Sequence, residues 1–214
     1  MSLFDVLQPN DRGDGAFAGV VTAIVTNNND PEKTGRVRVR FLWLSDTIET
    51  WWARVATPMA GADRGLYVLP EVDDEVLVAF EQGDPSRPIV IGSLWNGKDK
   101  APEKNDDGKN NKRTIKSRSG HIVRLDDTDG AEKIEIVDKT GDNKTTIDSK
   151  ANKVEITAKT DIAITSSEGK VTLSGAQGVE IASDKGGVKV EAKTTLDLQA
   201  TAAANVKGKP LNLN

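Results

Sequence analysis

The 214-residue sequence contains no cysteine, a single histidine and no apolar run of membrane-spanning length. Without cysteine there are no disulfides, so nothing in the chain requires an oxidising compartment. A transmembrane helix needs about 20 consecutive apolar residues. The first 15 residues, MSLFDVLQPNDRGDG, are acidic and lack the apolar centre of a signal peptide. We therefore expect a protein made in the cytoplasm and not exported by a cleaved signal.

The scarcity of cysteine and histidine also argues against catalysis and metal binding, because most nucleophile–base pairs and zinc sites use these residues. His121 could bind a metal together with two symmetry copies around a threefold axis, but we expect it to be an ordinary exposed or hydrogen-bonded side chain. The segment LDDTDG (125–130) lacks the flanking helices and closing glutamate of a calcium loop, so we predict a turn. The acidic pair Asp73 and Asp74 also lies in a predicted turn. The sequence therefore predicts no enzyme activity, no catalytic residues, no metal site and no cofactor.

Aromatic residues are absent from the second half of the chain. All nine lie before residue 96, and the remainder has only Val, Ile, Leu and Ala to form a core. The first half can therefore bury a compact globular core. The composition changes at NGKDKAPEKNDDGKNNKR (96–113), a polar stretch typical of a linker.

Short apolar segments separated by turn residues predict a small β-barrel of the OB type in residues 16–95. The alternation in RVRVRFLWL (36–44) predicts one face that points into the core and one arginine-rich face. The inward residues are Val37, Val39 and Phe41, and the outward residues are Arg36, Arg38 and Arg40. The other predicted strands are 16–25, 51–56, 66–69, 75–81 and 88–95.

The arginine face has two explanations. It could bind nucleic acid with help from Trp43, or it could pair with acidic neighbours or another subunit. The net charge of −4 argues against a general nucleic-acid binder. We therefore predict no nucleic-acid partner.

The most informative feature of residues 114–214 is an internal repeat. Two apolar residues with one residue between them recur at steps of 8 or 9 residues from Val154 to Leu196. Each unit predicts a short strand that turns both apolar side chains inward, followed by a bend. The predicted core residues are Val154, Ile156, Ile162, Ile164, Val171, Leu173, Val179, Ile181, Val188, Val190, Leu196 and Leu198.

A unit of this length makes about one side of a triangle. Either three successive units of one chain close a rung, or three chains supply one side each. The second arrangement explains why the core needs no aromatic residues, and it removes long exposed sheet edges. With strands stacked about 4.8 Å apart, it predicts a rigid trimeric rod.

Three blocks of the sequence resemble a known family. They are residues 19–41, residues 51–97 and residues 117–138, and the repeats continue the match. The chain resembles the central spike of contractile tails, the phage baseplate assembly protein V family. It is similar to the spike portion of the valine-glycine repeat proteins of type VI secretion. The resemblance implies an all-β homotrimer, and its expected parts are an N-terminal extension (1–15), an OB-fold barrel (16–95), a linker (96–113) and an intertwined triple-stranded β-helix needle (114–214).

The resemblance also implies a mechanical function. The barrel would sit on a trimeric baseplate hub at the tube end, and the needle would pierce the target cell membrane when the sheath contracts. The C-terminal sequence GKPLNLN lacks the His-x-His of a metal tip. We therefore expect a separate tip protein of the proline-alanine-alanine-arginine repeat type, docked at Leu211 and Leu213.

About 15 residues precede the barrel, which predicts a separate hub and favours a phage tail or a phage-like extracellular injection system. We expect the protein to act outside the producing cell, at the target envelope. The alternative is a trimeric β-solenoid tail fibre that binds a receptor or carbohydrate. Such a fibre would be expected to expose aromatic residues on its shaft, where this sequence has none.

Overall fold

The computed structural model describes residues 19–42 and 48–211. In these residues the regular structure is all β apart from one 3-10 turn, Glu81–Gly83. This confirms the all-β prediction. The chain divides into two compact units, Met1–Lys159 and Thr160–Asn214. Among the described residues, no helix has the length and apolar character to cross a membrane.

The first sheet of the first unit has the strand order β2-β1-β6-β7-β3. Neighbouring strands are antiparallel except β3 and β7, which are parallel. A separate small hairpin is formed by β4 and β5. The strands are β1 (Val20–Asn27), β2 (Arg38–Phe41), β3 (Arg54–Val55), β4 (Ala60–Gly61), β5 (Arg64–Gly65), β6 (Glu75–Phe80) and β7 (Pro88–Ser93).

The segment 49–56 connects the two edges of this sheet. On one side it pairs with the chain at β2. The Ala53 N–H donates to the Val37 carbonyl (2.7 Å), and the Val37 N–H donates to the Ala53 carbonyl (3.0 Å). On the other side β3 pairs with β7, and the Ala56 N–H donates to the Val90 carbonyl (2.8 Å). The sheet therefore curls into a barrel whose edges share one segment of chain.

The core lies inside this barrel. Val37, Val39 and Phe41 are fully buried, as the alternation in RVRVRF predicts. The rings of Phe41 and Phe80 are in contact, with centroids 5.8 Å apart. The whole buried cluster is Ala23, Val25, Val37, Val39, Phe41, Ala53, Val76, Val78, Phe80 and Val90. The core therefore comes from the aromatic half of the chain, as its composition predicts.

The predicted strand at 66–69 is wrong. These residues form no strand, and Tyr67 and Val68 are largely exposed. Leu66 instead closes the end of the β4–β5 hairpin, where its N–H donates to the Met59 carbonyl (3.0 Å). Of this run only Leu69, just before Pro70, is partly buried, and it packs against the barrel core without joining a strand.

The loop between β1 and β2 is built around the buried carboxylate of Asp30. It accepts hydrogen bonds from the backbone N–H of Glu32, from the Thr34 hydroxyl (2.7 Å) and from the Arg36 guanidinium (2.8 Å). The hydrogen bond from Arg36, helped by those from Thr34 and Glu32, holds the pKa of Asp30 well below its ordinary value, although burial acts in the opposite direction. One ionised side chain therefore fixes the loop NNNDPEKTG.

The second sheet is an antiparallel meander in which each strand pairs with the next strand of the same chain. The four pairings run without a register shift, so the backbone hydrogen bonds of this sheet are made within one chain. β8 begins inside the segment predicted as a linker. The strands are β8 (Lys112–Lys116), β9 (Ile122–Asp126), β10 (Lys133–Val137), β11 (Lys144–Asp148) and β12 (Lys153–Thr157).

The segment 99–111, here called the strap, is attached to the polar face of the meander through Glu103. The Glu103 carboxylate accepts hydrogen bonds from the Thr114 hydroxyl (2.9 Å) and from Arg124 Nε (2.9 Å) and Nη2 (2.6 Å). Arg124 also pairs with Glu135 (3.3 Å). Burial raises the pKa of Glu103, but the bonds from Thr114 and Arg124 outweigh it and the pKa is lowered overall.

Two further contacts join the barrel to the meander and the strap. Arg118, in the turn between β8 and β9, pairs with Glu71 of the barrel (2.6 Å). Asn96, just before the strap, donates to the Glu75 carboxylate of β6 (2.9 Å). The first unit is therefore connected by side-chain contacts as well as by the chain itself.

The second unit contains no strand among its described residues. It consists of short extended segments separated by bends, and these bends recur at the spacing of the sequence repeat. The bends fall at 167–169, 176–177, 184–186, 193–194, 201–202 and 209–210.

Hydrogen bonds across three residues close several of these turns. The Gly169 N–H donates to Ser166 Oγ (3.1 Å), and the Gly186 N–H donates to Ser183 Oγ (3.2 Å). Between them, the Gly178 N–H donates to the Gly175 carbonyl (3.2 Å). A Cβ atom at Gly175 would collide with the Gly178 carbonyl oxygen, so this turn needs glycine.

Asp30→Asn should reduce the thermal stability of the barrel at neutral pH. Because the pKa of Asp30 is lowered by folding, its carboxylate stabilises the native state above its ordinary pKa of 3.8, and this contribution is lost as the pH falls towards the folded value. The melting-temperature difference between wild type and variant should therefore shrink between pH 7 and pH 3. Asp63→Asn, an exposed barrel control, should follow the wild type, and a pH-independent difference for Asp30→Asn would contradict the charge argument.

Glu103→Gln should loosen the strap. It keeps the side-chain size but removes the charge facing Arg124, which should cost about 1–2 kcal/mol of local stability. Amide hydrogen exchange in residues 99–111 should accelerate while the barrel strands stay protected. Asp106→Asn, in the same segment, is the matched control. Unchanged exchange in Glu103→Gln would show that the strap is held by other contacts.

Candidate assembly surface

The meander β8–β12 has one face covered by apolar side chains, here called the apolar face. Side chains alternate along each strand, and the continuous register aligns the apolar positions of all five strands. They form two cross-strand rows. One row contains Ile115, Val123, Ile136, Thr145 and Ile156, and the other contains Leu125, Ile134, Ile147 and Val154.

In the single chain the apolar face of this sheet is exposed, and its polar face is partly covered. The apolar side chains of the two rows are 41–71% exposed. On the opposite face Thr114, Arg124 and Glu135 are only partly exposed, and Glu103 of the strap binds the first two. A contiguous exposed apolar surface marks an interaction site, whereas scattered exposed apolar residues are ordinary. The apolar face is therefore the candidate functional site.

A row of charged residues lies along one side of the opposite, polar face, two positions from Thr114, Arg124 and Glu135 along their strands. Opposite charges alternate from strand to strand, an arrangement that stabilises neighbouring strands. They are Lys112, Asp126, Lys133, Asp148 and Lys153, in register from β8 to β12.

The turns at the strand ends are held by their own carboxylates. Asp138, at the end of β10, accepts hydrogen bonds from the Thr140 hydroxyl (2.8 Å) and the Asn143 side chain (2.9 Å). Led by the bond from Thr140, these contacts lower the pKa of Asp138 to about 2. The meander is therefore ordered by local contacts at its turns as well as by its ladder.

The two candidate metal positions from the sequence lie in such turns. His121 Nδ1 accepts a hydrogen bond from the backbone N–H of Lys139 (3.2 Å). In LDDTDG, Asp126 accepts hydrogen bonds from the Thr128 N–H and hydroxyl, and Asp127 pairs with Arg113 (2.5 Å). Within the described ranges, no three His, Cys, Asp or Glu side chains are grouped as metal ligands.

The predicted core residues are exposed in the single chain. Val154 and Ile156 lie on β12, at the end of the two apolar rows. In the five pairs of the second unit, from Ile162 to Leu198, the first residue is 52–55% exposed and the second 65–81%. In each pair the first residue is therefore less exposed than the second. Their burial in a trimer stays a prediction.

The predicted tip-docking residues are only partly described. Leu211 is the last described residue and is half-exposed. Leu213 lies outside the described residues. Tip docking therefore stays a prediction as well.

Sequence reasoning did not place the beginning of the apolar face. The predicted core starts at Val154, although Ile115, Val123 and Leu125 belong to the same two rows. The spacing of two between Val123 and Leu125 is the signal that could have extended the repeat. No periodic signal could have found Glu103, because its partners are 11 and 21 residues away in the sequence.

The arginine face of the barrel is occupied by neighbouring side chains. Arg36 pairs with Asp30, and Arg38 pairs with Glu49 (3.4 Å). The Arg38 guanidinium also lies over the rings of Trp52 (5.0 Å) and Trp51 (5.9 Å). These contacts match the alternative in which the arginines pair with acidic neighbours.

The sequence was compared with known protein families and proteins. Residues 21–95, which contain the whole barrel core, match the type VI secretion system/phage-baseplate injector OB domain. The chain is 35% identical over 98 residues to the type VI secretion system spike protein VgrG5 of Pseudomonas aeruginosa, covering 44% of this chain and 12% of the relative. To VgrG1a of the same organism it is 31% identical over 134 residues, covering 55% and 21%.

A similar match comes from another genus. The chain is 39% identical over 72 residues to the spike protein VgrG3 of Vibrio cholerae, covering 32% of this chain and 7% of the relative. The chain thus spans about a fifth or less of the length of these curated relatives. Residues 21–95 are thus similar to the injector OB domain of type VI secretion systems and phage baseplates, which confirms the resemblance found in the sequence.

Proposed function

We propose that this protein is the non-enzymatic central spike of a contractile injection machine, either a phage tail or a phage-like extracellular injection system. The observation that carries the proposal is the open apolar face of β8–β12, whose residue spacing continues in the repeats of the second unit. This surface follows directly after an injector OB domain. A spike needs this combination, because the barrel provides an attachment module and the repeats provide a shaft.

The active form proposed here is a homotrimer. In a single chain the apolar rows and pairs face solvent, and the repeats of the second unit lack sheet partners among the described residues. Three copies around one axis would cover both the apolar side chains and the strand edges. The core positions would be the twelve residues predicted from the sequence, from Val154 to Leu198.

Rigidity follows from the same arrangement. Strands that cross the shaft place their hydrogen bonds along it, so a load on the tip compresses a continuous ladder. We expect the repeats of the second unit to form the intertwined part of the triple-stranded β-helix predicted for residues 114–214, while β8–β12 keep their antiparallel pairing within each chain. Such a shaft suits a protein that pierces the target membrane mechanically when a sheath drives the tube forward.

The two ends of the spike would bind different partners. The barrel would sit on a trimeric baseplate hub, and the C-terminal end would carry a tip protein of the proline-alanine-alanine-arginine repeat type at Leu211 and Leu213. The tail-fibre alternative has less support, because no aromatic residue follows Trp95 and a shaft without aromatic side chains cannot stack on sugars.

The mass of the purified protein in solution should be three times the 23.0 kDa chain mass, measured by light scattering during size-exclusion chromatography. The particle should elute earlier than a compact protein of that mass, because a trimeric shaft is elongated. A chain that stays at 23.0 kDa across the accessible concentration range would contradict the spike proposal.

Removing the chain from Leu211 onward should leave the trimer intact and abolish binding of the tip protein, because only the last level of the shaft is lost. Binding can be measured by co-purification with the tip protein from the same particle. The matched control is Lys207→Ala, which changes an exposed residue just before this end. Undiminished binding after the truncation would show that the tip protein docks elsewhere.

A further inference from the structure

The apolar face of β8–β12 and the apolar pairs of the second unit differ in how much of their structure exists before assembly. In β8–β12 every strand pairs with its neighbour in the same chain, and the apolar rows are already aligned. In the second unit the described residues form turns but no strands, so their alignment depends on other chains. The repeat thus forms a hydrogen-bonded sheet within one chain up to Thr157, whereas the described residues beyond it form turns without strands.

We infer that the apolar face of residues 112–157 is the surface through which three copies of this chain first associate, and that the second unit folds onto the trimer afterwards. The inference rests on the proposed homotrimer and adds an order of assembly to it. A preformed surface loses less conformational freedom on association than a segment that must be ordered at the same time.

The occupant of the apolar face is another copy of the same chain for two reasons. First, Val154 and Ile156 belong both to the rows of the sheet and to the series of apolar pairs that continues into the second unit. A partner that buries the rows of the sheet would therefore also bury the apolar pairs of the second unit. Second, Glu103 of the strap already binds the opposite face, so the apolar face is the side of this sheet that is left to another chain.

Association through this face also solves a register problem for the second unit. Its repeats share one spacing of apolar pairs, so a strand that shifts by one unit would still bury an apolar pair. The five strands of the meander have fixed register and distinct turns, so docking them first positions all three chains at residue 157. Each following repeat can then pair only at the level directly after the one already formed. This pairing takes place within an assembled trimer and is therefore intramolecular.

The test uses the full chain with one substitution in each surface. Ile134→Asp places a carboxylate in a row of the meander, and Ile181→Asp places the same change in the second unit. Both side chains are exposed in the single chain, so neither change should disturb the fold before assembly. Three carboxylates facing one dry axis are strongly unfavourable. Ile134→Val, which keeps the face apolar, is the matched control.

We expect the mass of Ile134→Asp to fall threefold to the single-chain value, with its barrel amides still protected from hydrogen exchange. Ile181→Asp should keep the three-chain mass and show fast exchange confined to residues 160–211. Ile134→Val should remain a trimer with full protection. Together these results would establish that the apolar face drives association.

Other results would overturn the inference while leaving the proposed function in place. If the wild type is a trimer and Ile181→Asp is monomeric, association starts in the second unit. If Ile134→Asp keeps the three-chain mass, the apolar face is not the docking surface. A monomeric wild type would instead overturn the proposed homotrimer itself, so the two failures are distinguishable.

Discussion

The organisation of residues 112–211 depends on the alternation of side chains along a β-strand. An apolar residue at every second position collects on one face, and that face must be covered. Among the described residues of the second half no helix provides the cover, no aromatic residue follows Trp95 in the sequence, and the strap binds the polar face. The exposed rows of Ile, Val and Leu are therefore a consequence of the sequence pattern, and they make association with other chains the natural way to complete the fold.

The barrel meets the same constraint differently. It turns its alternating residues toward one another, so that Val37, Val39 and Phe41 are fully buried within one chain. Its long β1–β2 loop is fixed by a single buried carboxylate, Asp30, which collects donors from the loop itself. The barrel therefore has its own core, whereas the apolar side chains of the repeats stay exposed in the single chain. This difference is what the proposed division into an attachment module and a shaft requires.

The sequence predicted those features that depend on local periodicity. Alternation placed the residues of β2 correctly, and the spacing of apolar pairs matches the recurring bends of the second unit. It could not predict which strands pair, because periodicity shows which face a side chain occupies and not which backbone lies beside it. The meander and the strap salt bridge between Glu103 and Arg124 therefore emerge only from the fold. The strand expected at 66–69 is wrong because the run LYVL has no alternation that would place one face in the core, and only Leu69 packs there.

The contacts inside the first unit suggest how a load would pass along the proposed spike. Force on the barrel reaches the meander through Glu71 and Arg118, and through Glu75 and Asn96 to the strap. These are exposed or half-buried polar contacts, each worth only about 1 kcal/mol. A single one would not resist a driven tube, but in a trimer each occurs three times and acts in parallel with the covalent chain. In the proposed spike, the strap would limit rotation of the barrel about the shaft, because Glu103 fixes it to the meander and Asn96, which binds the Asp99 backbone at its start, binds the barrel.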